Sequence, residues 1–331
     1  MTENDQDVVI LKSDGIPTYH FAHAIDDHFM RTTLVIRGEE WLASLPIHLE
    51  LFSVLGFALP RYGHNCSLMK QDGETRRKLS KRKDPELSLE FYRQEGYFPR
   101  AVRVYMLTLL NSNFEEWYLK NPEKPLEEFP FSVKKMGKSG ALFDLDKLND
   151  ISKNELSRLS AEEMFDFLKS WADEYGSEEE KGYFKDREYL VKILNLVMGT
   201  GGKKRRKDIM TARQAMGLIS YFFIRREQDS YRVDGKTRQE IMKAFLSTYD
   251  YGDDAQVWFG KVKEVAASLG FAAEMRDYKE NPDAYKGSVS DVAEVLRIAV
   301  TGRANTPDLW TVMQILGDVE TRARLNHALE S

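Results

Sequence analysis

The first 56 residues alternate two patterns, and this alternation constrains the possible folds of the chain more than any other feature. The β-branched runs Val8–Leu11 and Thr32–Ile36 predict two short buried strands. Apolar residues recur at helical spacing over residues 19–30 and 39–56, where Pro46 permits a kink or a break. Strand, helix, strand, helix is typical of an α/β unit with a parallel sheet. Two strands make a poor sheet, so we expect the α/β part to be truncated at its start.

Beyond Gly73 the pattern becomes helical and contains no convincing alternating strand. Pro99 suits the start of a helix. Ser160, with Glu163 following one turn later, predicts a capping box. Near the end, Thr306–Asp308 predicts the N-terminal cap of an apolar helix. The second half of the chain is therefore expected to be an all-helical assembly.

The composition narrows the class of protein. The 331 residues allow two or three domains, and 42% hydrophobic with 31% charged residues predict a soluble globular protein. The single cysteine, Cys66, excludes an internal disulfide and a multi-cysteine zinc site. The chain has no apolar run of about 18 residues, and its acidic start lacks the layout of a secretion signal. We therefore expect a cytoplasmic protein with no membrane partner.

Two basic clusters stand out against a formal net charge of -5. The first places six cations within eight residues: Arg76, Arg77, Lys78, Lys81, Arg82 and Lys83. The second has five consecutive cations: Lys203, Lys204, Arg205, Arg206 and Lys207. Phosphate attraction depends on the field near the contact, so an acidic chain can still bind a polyanion locally. Either cluster could instead be a solvated surface, because runs of like charge commonly are.

The stretch from Ser13 to Phe57 carries an ordered series of motifs, SDG-x-PTY-x-FA, DD-x-x-M and VIRGEEWL. A loop of the KMSKS type follows, with the sequence Lys78-Leu79-Ser80-Lys81-Arg82. In this order and at these separations, the set closely resembles the glutamyl-tRNA synthetase family of class I aminoacyl-tRNA synthetases. The resemblance continues less tightly through GYFPRAVRVYML and SGALFDLDKL, and it returns in VAEVLRIAVTG and LWTVMQILG.

The resemblance implies a multidomain fold. A partial α/β domain, the remnant of the class I Rossmann nucleotide fold, is expected at residues 1–45, and a stem-contact domain with the KMSKS-type loop at 46–155. Predominantly α-helical anticodon-binding subdomains are expected at 156–240 and 241–331. The implied activity is that of a glutamate–tRNA ligase, which joins glutamate to its tRNA through glutamyl-adenylate. The implied partners are glutamate, ATP with Mg2+ as substrate, and tRNA(Glu), and a monomer is expected.

Four side chains are implied to form the glutamate pocket, with Tyr19 and Arg37 as the main contacts and His23 and Trp41 one helical turn after them. A guanidinium fork matches a carboxylate bidentately, and a tyrosine hydroxyl can fix its orientation. Arg37 also ends a strand, at the edge where open α/β sheets bind ligands. Simpler interpretations remain open. Arg37 could pair with a neighbouring glutamate, and Tyr19 could be a core aromatic.

The KMSKS-type loop is implied to be catalytic through Lys78, Ser80 and Lys81. Activation of a carboxylate by ATP makes a transition state with negative charge on the phosphates, and flexible ammonium groups can close over that charge. Lys78 and Lys81 are the implied phosphate-binding pair, while Leu79 and Arg82 complete the loop. Such a loop acts by moving in, so closure on substrate is expected. The alternative is a solvated basic turn.

The cluster Lys203–Lys207 precedes IMTARQAMGLISYFF, a helix that the family places in its anticodon-binding region. Family members carry an arginine nearby that contacts an anticodon base, and Arg205 or Arg206 is the approximate counterpart. The loop GTGGKKRRK shifts the register, which leaves the choice between them open. An arginine can stack on an unpaired base and hydrogen-bond to its edge. General phosphate attraction by the whole cluster is the alternative.

Other residues that often carry chemistry are expected to have structural roles. Adjacent helical carboxylates, here Asp26 and Asp27, point about 100° apart, so capping or salt bridging is expected of them. Cys66 is expected to be structural. No metal ligand is predicted, because the histidines are too scattered for a recognisable site: His20, His23, His28, His48 and His64.

One family motif is missing from the 331 residues, the His-Ile-Gly-His-like sequence of the first strand-to-helix turn. The resemblance places this motif, and most of the parallel sheet, ahead of the part seen here. We therefore expect a C-terminal fragment that makes no adenylate by itself. A non-catalytic RNA-binding module that keeps the remains of an enzyme is the main alternative. A glutamine-specific synthetase is a closer alternative, but that family is expected to carry β-barrels for anticodon binding.

Overall fold

The computed structural model describes residues 3–137, 140–200, 205–226 and 229–330. The chain forms two compact units. The first unit comprises Met1–Tyr92 and Pro99–Ile151, and the second comprises Arg93–Phe98 and Ser152–Ser331. The finer division into 1–45, 46–155, 156–240 and 241–331 remains a prediction.

The first unit starts with a folded-back loop instead of the strand predicted at residues 8–11. A single antiparallel bridge pairs Leu11 with Pro17. Between them, the Gly15 amide donates to the Lys12 carbonyl oxygen at 3.0 Å, and Gly15 has a φ of +80°, which favours glycine. Because this turn reverses the chain at once, the β-branched run pairs with its own continuation and joins no sheet.

The next elements follow the predicted order of helix, strand and helix. They are α1 (Tyr19–Phe29), β1 (Leu34–Gly38), α2 (Leu45–Val54) and β2 (Arg61–Asn65). β1 and β2 pair in parallel, which places Arg37 opposite His64. The helix predicted over residues 39–56 is broken, since a 3₁₀ helix at Glu39–Ser44 precedes α2. Pro46 lies in the first turn of α2, where the lack of an amide hydrogen does no harm.

A second sheet contains β3 (Leu68–Asp72), β4 (Thr75–Lys78) and β5 (Ala141–Leu142), in the order β4-β3-β5. The expectation of no strand after Gly73 is therefore wrong. β4 has the sequence Thr-Arg-Arg-Lys, whose exposed side chains show no apolar alternation. Its backbone pairing with β3 makes it a strand, and Gly73, with a φ of +61°, forms the turn between the two. This hairpin leads directly into the loop that starts at Lys78.

Helices complete the first unit and lead into the second: α3 (Leu89–Glu95), α4 (Pro99–Leu110), α5 (Phe114–Lys120) and α6 (Leu145–Leu156). α4 begins at Pro99, as predicted. A small apolar core joins Val104 of α4 to Phe114, Leu126 and Phe129. This core anchors the helices that follow the second sheet.

The second unit is helical throughout its described residues, apart from one isolated bridge between Ala272 and Ser288. Its helices are α7 (Ala161–Tyr175), α8 (Glu178–Gly182), α9 (Arg187–Met198), α10 (Ala212–Ile219), α11 (Gly235–Thr248), α12 (Ala255–Ser268), α13 (Met275–Glu280), α14 (Val289–Thr301), α15 (Leu309–Leu316) and α16 (Asp318–Glu330). The predicted capping box at Ser160 and Glu163 is confirmed, and Asp308 caps α15 by accepting from the Thr311 amide.

One large apolar core lies between these helices. Val292, Leu296 and Val300 of α14 are fully buried in it, together with Phe245 of α11. The helical spacing of the apolar residues in α14 produces this buried face. Among the helices of the described ranges, none combines the length and the apolar character needed to cross a membrane.

Candidate active site and basic cavity

Three of the predicted glutamate-pocket residues are neighbours in the first unit. Tyr19 begins α1, Arg37 lies near the end of β1, and Trp41 lies in the 3₁₀ helix Glu39–Ser44. The ring centroids of Tyr19 and Trp41 are 4.4 Å apart. The Cζ atom of Arg37 lies 5.7 Å from the centre of the Trp41 ring. Tyr19 is 49% exposed, so it is not a core aromatic, and a ligand can reach it.

Three hydrogen bonds hold the Arg37 guanidinium. Nε donates to Nε2 of His64 at 3.2 Å, and one terminal nitrogen donates to Nδ1 of His48 at 2.8 Å. The other terminal nitrogen donates to the Trp41 carbonyl oxygen at 3.4 Å. The Cζ atom of Arg37 also lies 5.0 Å from the centre of the Tyr62 ring. The guanidinium is therefore held by residues of strand β2, helix α2 and the 3₁₀ helix Glu39–Ser44.

The two glutamates that follow Arg37 have other partners. The Glu39 carboxylate accepts from the Ser67 amide at 2.9 Å, and this hydrogen bond lowers the pKa of Glu39. The Glu40 carboxylate lies 3.5 Å from Nζ of Lys78. Among the residues that the structure describes, no carboxylate forms an ion pair with Arg37. The simpler interpretation of Arg37 as half of a local ion pair is therefore wrong.

His23 contacts protein groups instead of an open pocket. It is 8% exposed, with Nδ1 2.7 Å from the Asp27 carboxylate and Nε2 3.0 Å from the Tyr62 hydroxyl. Burial lowers the pKa of His23 and outweighs the charge of Asp27, which acts to raise it. Burial also raises the pKa of Tyr62 to about 12. Tyr62 therefore keeps its proton and can donate it to Nε2. His23 is then neutral, so its contact with Asp27 is a polar contact and not the salt bridge that was one of the roles expected of Asp27. The His23 ring also stacks with that of Tyr19, with 5.7 Å between centroids.

Sequence analysis missed the two histidines that hold Arg37. His48 reaches it from α2, and His64 reaches it because the parallel register pairs Arg37 with His64 across β1 and β2. Neither contact has a signal in the sequence, since β2 lacks apolar alternation and its register depends on tertiary pairing. Within the described ranges, no group of three or more His, Cys, Asp or Glu side chains is arranged to hold a metal ion.

The KMSKS-type loop begins where β4 ends. Lys78 is exposed and faces Glu40, while Leu79 is buried and its amide donates to the Leu68 carbonyl oxygen at 2.9 Å. The carbonyl oxygen of Ser80 accepts from the amides of residues 83 and 84 at 3.0 and 2.9 Å, which makes a tight turn. Lys81 and Arg82 are exposed at its tip.

Asp84 closes this turn, and sequence analysis did not single it out. The Asp84 side chain is buried and accepts two hydrogen bonds from Arg77, at 2.7 and 2.8 Å. It also accepts from the Ser80 amide at 2.8 Å, and Nζ of Lys70 lies 3.5 Å away. The hydrogen bonds from Arg77 hold the pKa of Asp84 well below its usual range. Asp84 thus fixes the turn that carries Lys81.

An open cavity of about 830 Å³ in the second unit is lined by the basic residues Arg205, Arg206, Lys207 and Arg303. Arg205 donates to the Ser157 and Arg158 carbonyl oxygens at 2.8 and 2.7 Å, and Arg206 forms a two-point pair with Asp208 at 2.5 and 2.9 Å. Lys207 is exposed. Lys203 and Lys204, also predicted to contact tRNA, lie outside the described residues.

Tyr221 forms an aromatic wall of this cavity. The Cζ atom of Arg303 lies 5.3 Å from the centre of the Tyr221 ring, and Arg303 donates to the Gly217 carbonyl oxygen at 2.6 Å. Tyr221 is 3% exposed, burial raises its pKa, and its hydroxyl finds no hydrogen-bond partner in the described part of the chain. The cavity thus combines several cations with a buried tyrosine that Arg303 covers, and its cations are the groups that can attract phosphates.

Comparisons with known proteins match both units. Residues 1–150 match the family model described as the catalytic domain of class I tRNA synthetases (E and Q), and residues 275–329 match the anticodon binding domain. The chain is 52% identical over 338 positions to the glutamate–tRNA ligase of Acetivibrio thermocellus. It is 46% identical over 331 positions to that of Clostridium perfringens.

These relatives are longer than this chain. The two alignments cover 99% and 98% of this chain but 61% and 60% of the relatives. A crystal structure of a glutamate tRNA ligase from Elizabethkingia meningosepticum, in complex with its amino acid, is 25% identical with a TM-score of 0.66. That match covers 97% of this chain and 62% of the other. The chain thus spans about three fifths of the length of the proteins that it matches.

Proposed function

Because the chain belongs to the class I aminoacyl-tRNA synthetase family of glutamate and glutamine enzymes, we propose that it is the part of a glutamate–tRNA ligase that completes the amino acid pocket and binds tRNA. The predicted fold, a partial class I α/β domain followed by helical domains, is that of its relatives. The observation that carries the proposal is the identity of 52% with a glutamate–tRNA ligase over 99% of this chain.

The first reaction step is activation of glutamate. A glutamate carboxylate oxygen attacks the α-phosphorus of ATP, the bond to the bridging oxygen breaks, and pyrophosphate leaves with the electron pair. Arg37 binds a glutamate carboxylate through its remaining N–H donors, and the exposed edge of Tyr19 orients the substrate. Trp41 packs against both residues and fixes the side of the pocket.

Charge on the leaving phosphates is stabilised by the KMSKS-type loop. Lys81 is the main cation, since it is exposed on the turn that Asp84 anchors, and Ser80 keeps that turn short. Lys78 starts the loop from the end of β4, where Glu40 holds it in place until substrate arrives. Magnesium enters as part of the ATP substrate.

The second step transfers glutamate to tRNA. A terminal ribose hydroxyl of tRNA attacks the adenylate carbonyl carbon, and AMP leaves. The cavity in the second unit supplies the anticodon contact, with Arg205, Arg206 and Lys207 as the binding cations. Lys203 and Lys204 are assigned to the same role from the sequence alone. We place the reaction in the cytoplasm, where tRNA is charged.

The isolated chain is expected to form no adenylate. Catalysis of this step depends on holding ATP and glutamate in line, and one wall of phosphate-binding groups cannot align them. Arg37 and Lys81 supply charge but no adenine pocket. A non-catalytic RNA-binding role is the alternative, and it predicts tRNA binding without any restored chemistry.

A chimaera tests the proposal. The chain is joined to the part of the Acetivibrio thermocellus ligase that the alignment leaves uncovered, and glutamate-dependent exchange between ATP and pyrophosphate is measured. The chimaera is expected to catalyse the exchange, and the 331-residue chain alone is expected to show none. A folded chimaera that binds tRNA but exchanges no pyrophosphate would support the non-catalytic alternative. Exchange by the chain alone would contradict the expected inactivity.

A further inference from the structure

The hydrogen bonds around Arg37 fix the proton positions of two histidines. A guanidinium has only donors and stays charged in proteins, so both nitrogens that face it must be acceptors. Nδ1 of His48 and Nε2 of His64 therefore carry no proton. The ring proton of His48 is then on Nε2, where it is donated to Nδ1 of His20 at 2.9 Å.

The surroundings of these histidines keep them neutral. His48 is fully buried, and burial, with smaller contributions from His23 and Arg37, lowers its pKa to about 3. Burial and the Arg37 charge also lower the pKa of His64. Among the described residues, Asp27 places its carboxylate against Nδ1 of His23, and the charges of Asp27 and Asp26 both act on His23. Neither carboxylate hydrogen-bonds to Arg37, His48 or His64. The described residues thus surround Arg37 with neutral acceptors.

The contrast with Arg77 in the same unit shows what this arrangement achieves. Arg77 donates to the carboxylates of Asp84 and Asp72, so its charge is matched inside the protein. Arg37 uses three of its five N–H groups on uncharged acceptors and keeps two, together with the full positive charge. Its orientation is held by three hydrogen bonds, but its charge remains unmatched.

We propose that His48 and His64 are positioning residues, which hold Arg37 as neutral acceptors and leave its charge unpaired for a substrate carboxylate. The identity of that substrate as glutamate rests on the proposed function. A carboxylate in place of either histidine would hold the guanidinium equally well but would cancel the charge that binds the ligand. Neutral acceptors hold the guanidinium without cancelling its charge.

Asparagine and glutamine variants separate the acceptor role from simple packing. The amide oxygen of asparagine occupies the place of a histidine Nδ1, and that of glutamine the place of Nε2. His48→Asn and His64→Gln therefore keep the acceptor that faces Arg37, whereas His48→Gln and His64→Asn remove it. Asparagine is therefore the variant that keeps the acceptor at position 48, and glutamine is the variant that keeps it at position 64. A purely structural role predicts no such reversal.

The first readout is the NMR signal of the Arg37 Nε–H group in the 331-residue chain. The Nε–H group, whose acceptor is His64, is expected to give a sharp signal in the wild type and in His64→Gln and a broadened one in His64→Asn. For the His48 pair the signal is that of the terminal Arg37 nitrogen that faces His48, which is expected to be sharp in the wild type and in His48→Asn and broadened in His48→Gln. The Nε–H signal of Arg77, held by Asp72 and Asp84, reports that the unit is folded. Equal signals within each pair, with Arg77 intact, overturn the proposal.

If a variant unfolds, the proposal is tested instead by the nitrogen chemical shifts of the His48 and His64 rings in the wild type. They are expected to show an unprotonated Nδ1 in His48 from pH 7 down to about pH 5, and an unprotonated Nε2 in His64 at pH 7. The reverse tautomer at either residue overturns the proposal.

Titration with L-glutamate tests the second half of the proposal. Glutamate is expected to shift the Arg37 signal in the wild type. Binding to His48→Gln and His64→Asn is expected to be at least roughly tenfold weaker than to their partner variants, as expected for losing one hydrogen bond to a charged group. Intact Arg37 signals with no response to glutamate would overturn the carboxylate role and the glutamate assignment together. Loss of the reversal alone overturns the histidine roles and leaves the proposed function standing.

Discussion

The two cationic regions of this protein present positive charge in opposite ways. In the first unit, Arg37 is a single cation that His48 and His64 fix without neutralising it. In the second unit, several cations share one cavity, and three of them are already engaged: Arg205 and Arg303 by backbone carbonyls, and Arg206 by Asp208. The first region thus holds one cation in a fixed orientation, and the second gathers several cations around an open cavity.

The physical consequences differ accordingly. A fixed guanidinium next to aromatic rings recognises a carboxylate by geometry, so its contribution depends weakly on salt. A cluster of surface cations attracts phosphates by releasing counterions, so its contribution falls steeply as salt rises. Under the proposed function, the first behaviour belongs to amino acid selection and the second to tRNA binding. The following predictions test that separation.

Replacement of Arg37 tests the single-cation region most severely. Arg37→Ala in the chimaera is expected to lower kcat/KM for glutamate in the exchange reaction by at least about 100-fold, because two charge-assisted hydrogen bonds are lost. Arg61→Ala, a change at an exposed arginine on the adjacent strand β2, is the matched control and is expected to have little effect. Equal effects of the two changes would show that Arg37 has no special role.

Replacement of Lys81 tests whether the loop acts on the transition state. Lys81→Ala in the chimaera is expected to lower kcat for the exchange by roughly 100-fold, with little change in KM for glutamate. The control is Lys83→Ala. The Lys83 side chain is exposed in the same turn, and its backbone amide, which closes that turn, is kept in the variant. A change confined to the KM for glutamate would place Lys81 in the amino acid pocket instead.

Acid should weaken the first unit through His48. Its pKa is about 3 in the folded protein and has its ordinary value of 6.5 in the unfolded chain, so the unfolded state binds more protons between these values. The contribution of neutral His48 to the free energy of unfolding is therefore present above pH 6.5 and is lost as the pH falls towards 3. From about pH 7 to pH 5 the wild type should lose about 2 kcal/mol more than His48→Asn. Hydrogen exchange of α2 amides measures this, and parallel pH profiles would contradict it.

Replacement of Lys207 tests the cavity with the smallest expected effect. Lys207→Ala should weaken tRNA binding a few-fold and reduce the salt slope of the affinity by about one, as for one lost phosphate contact. Lys236→Ala, at an exposed lysine that does not line the cavity, is the control. An unchanged slope in Lys207→Ala would remove Lys207 from the tRNA contacts.

Local rules predicted the parts of the structure that local interactions decide. The cap at Ser160 and the start of α4 at Pro99 depend on a few neighbouring residues, and both were predicted. Tyr19 and Arg37 were predicted to share one pocket because of the family resemblance, and no local pattern predicts this. β4 was missed because cross-strand pairing, with no apolar pattern of its own, makes it a strand.

The histidines that hold Arg37 could not be predicted for the same reason. His64 meets Arg37 only through the register of β1 and β2, and His48 only through the packing of α2. Asp84 likewise gains its role from the turn that brings it to Arg77. The sequence thus supplied the residues that we propose contact substrate, whereas the groups that hold them in place required the structure.

The most direct test of the account is the choice of amino acid by the chimaera. It is supplied with ATP, tRNA and equal concentrations of glutamate and glutamine, and the amino acid esterified to tRNA is identified. The account predicts that glutamate is attached and that Arg37→Ala abolishes this attachment. Attachment of glutamine, or unchanged attachment of glutamate in Arg37→Ala, would contradict the central claim that a guanidinium with unmatched charge selects a carboxylate.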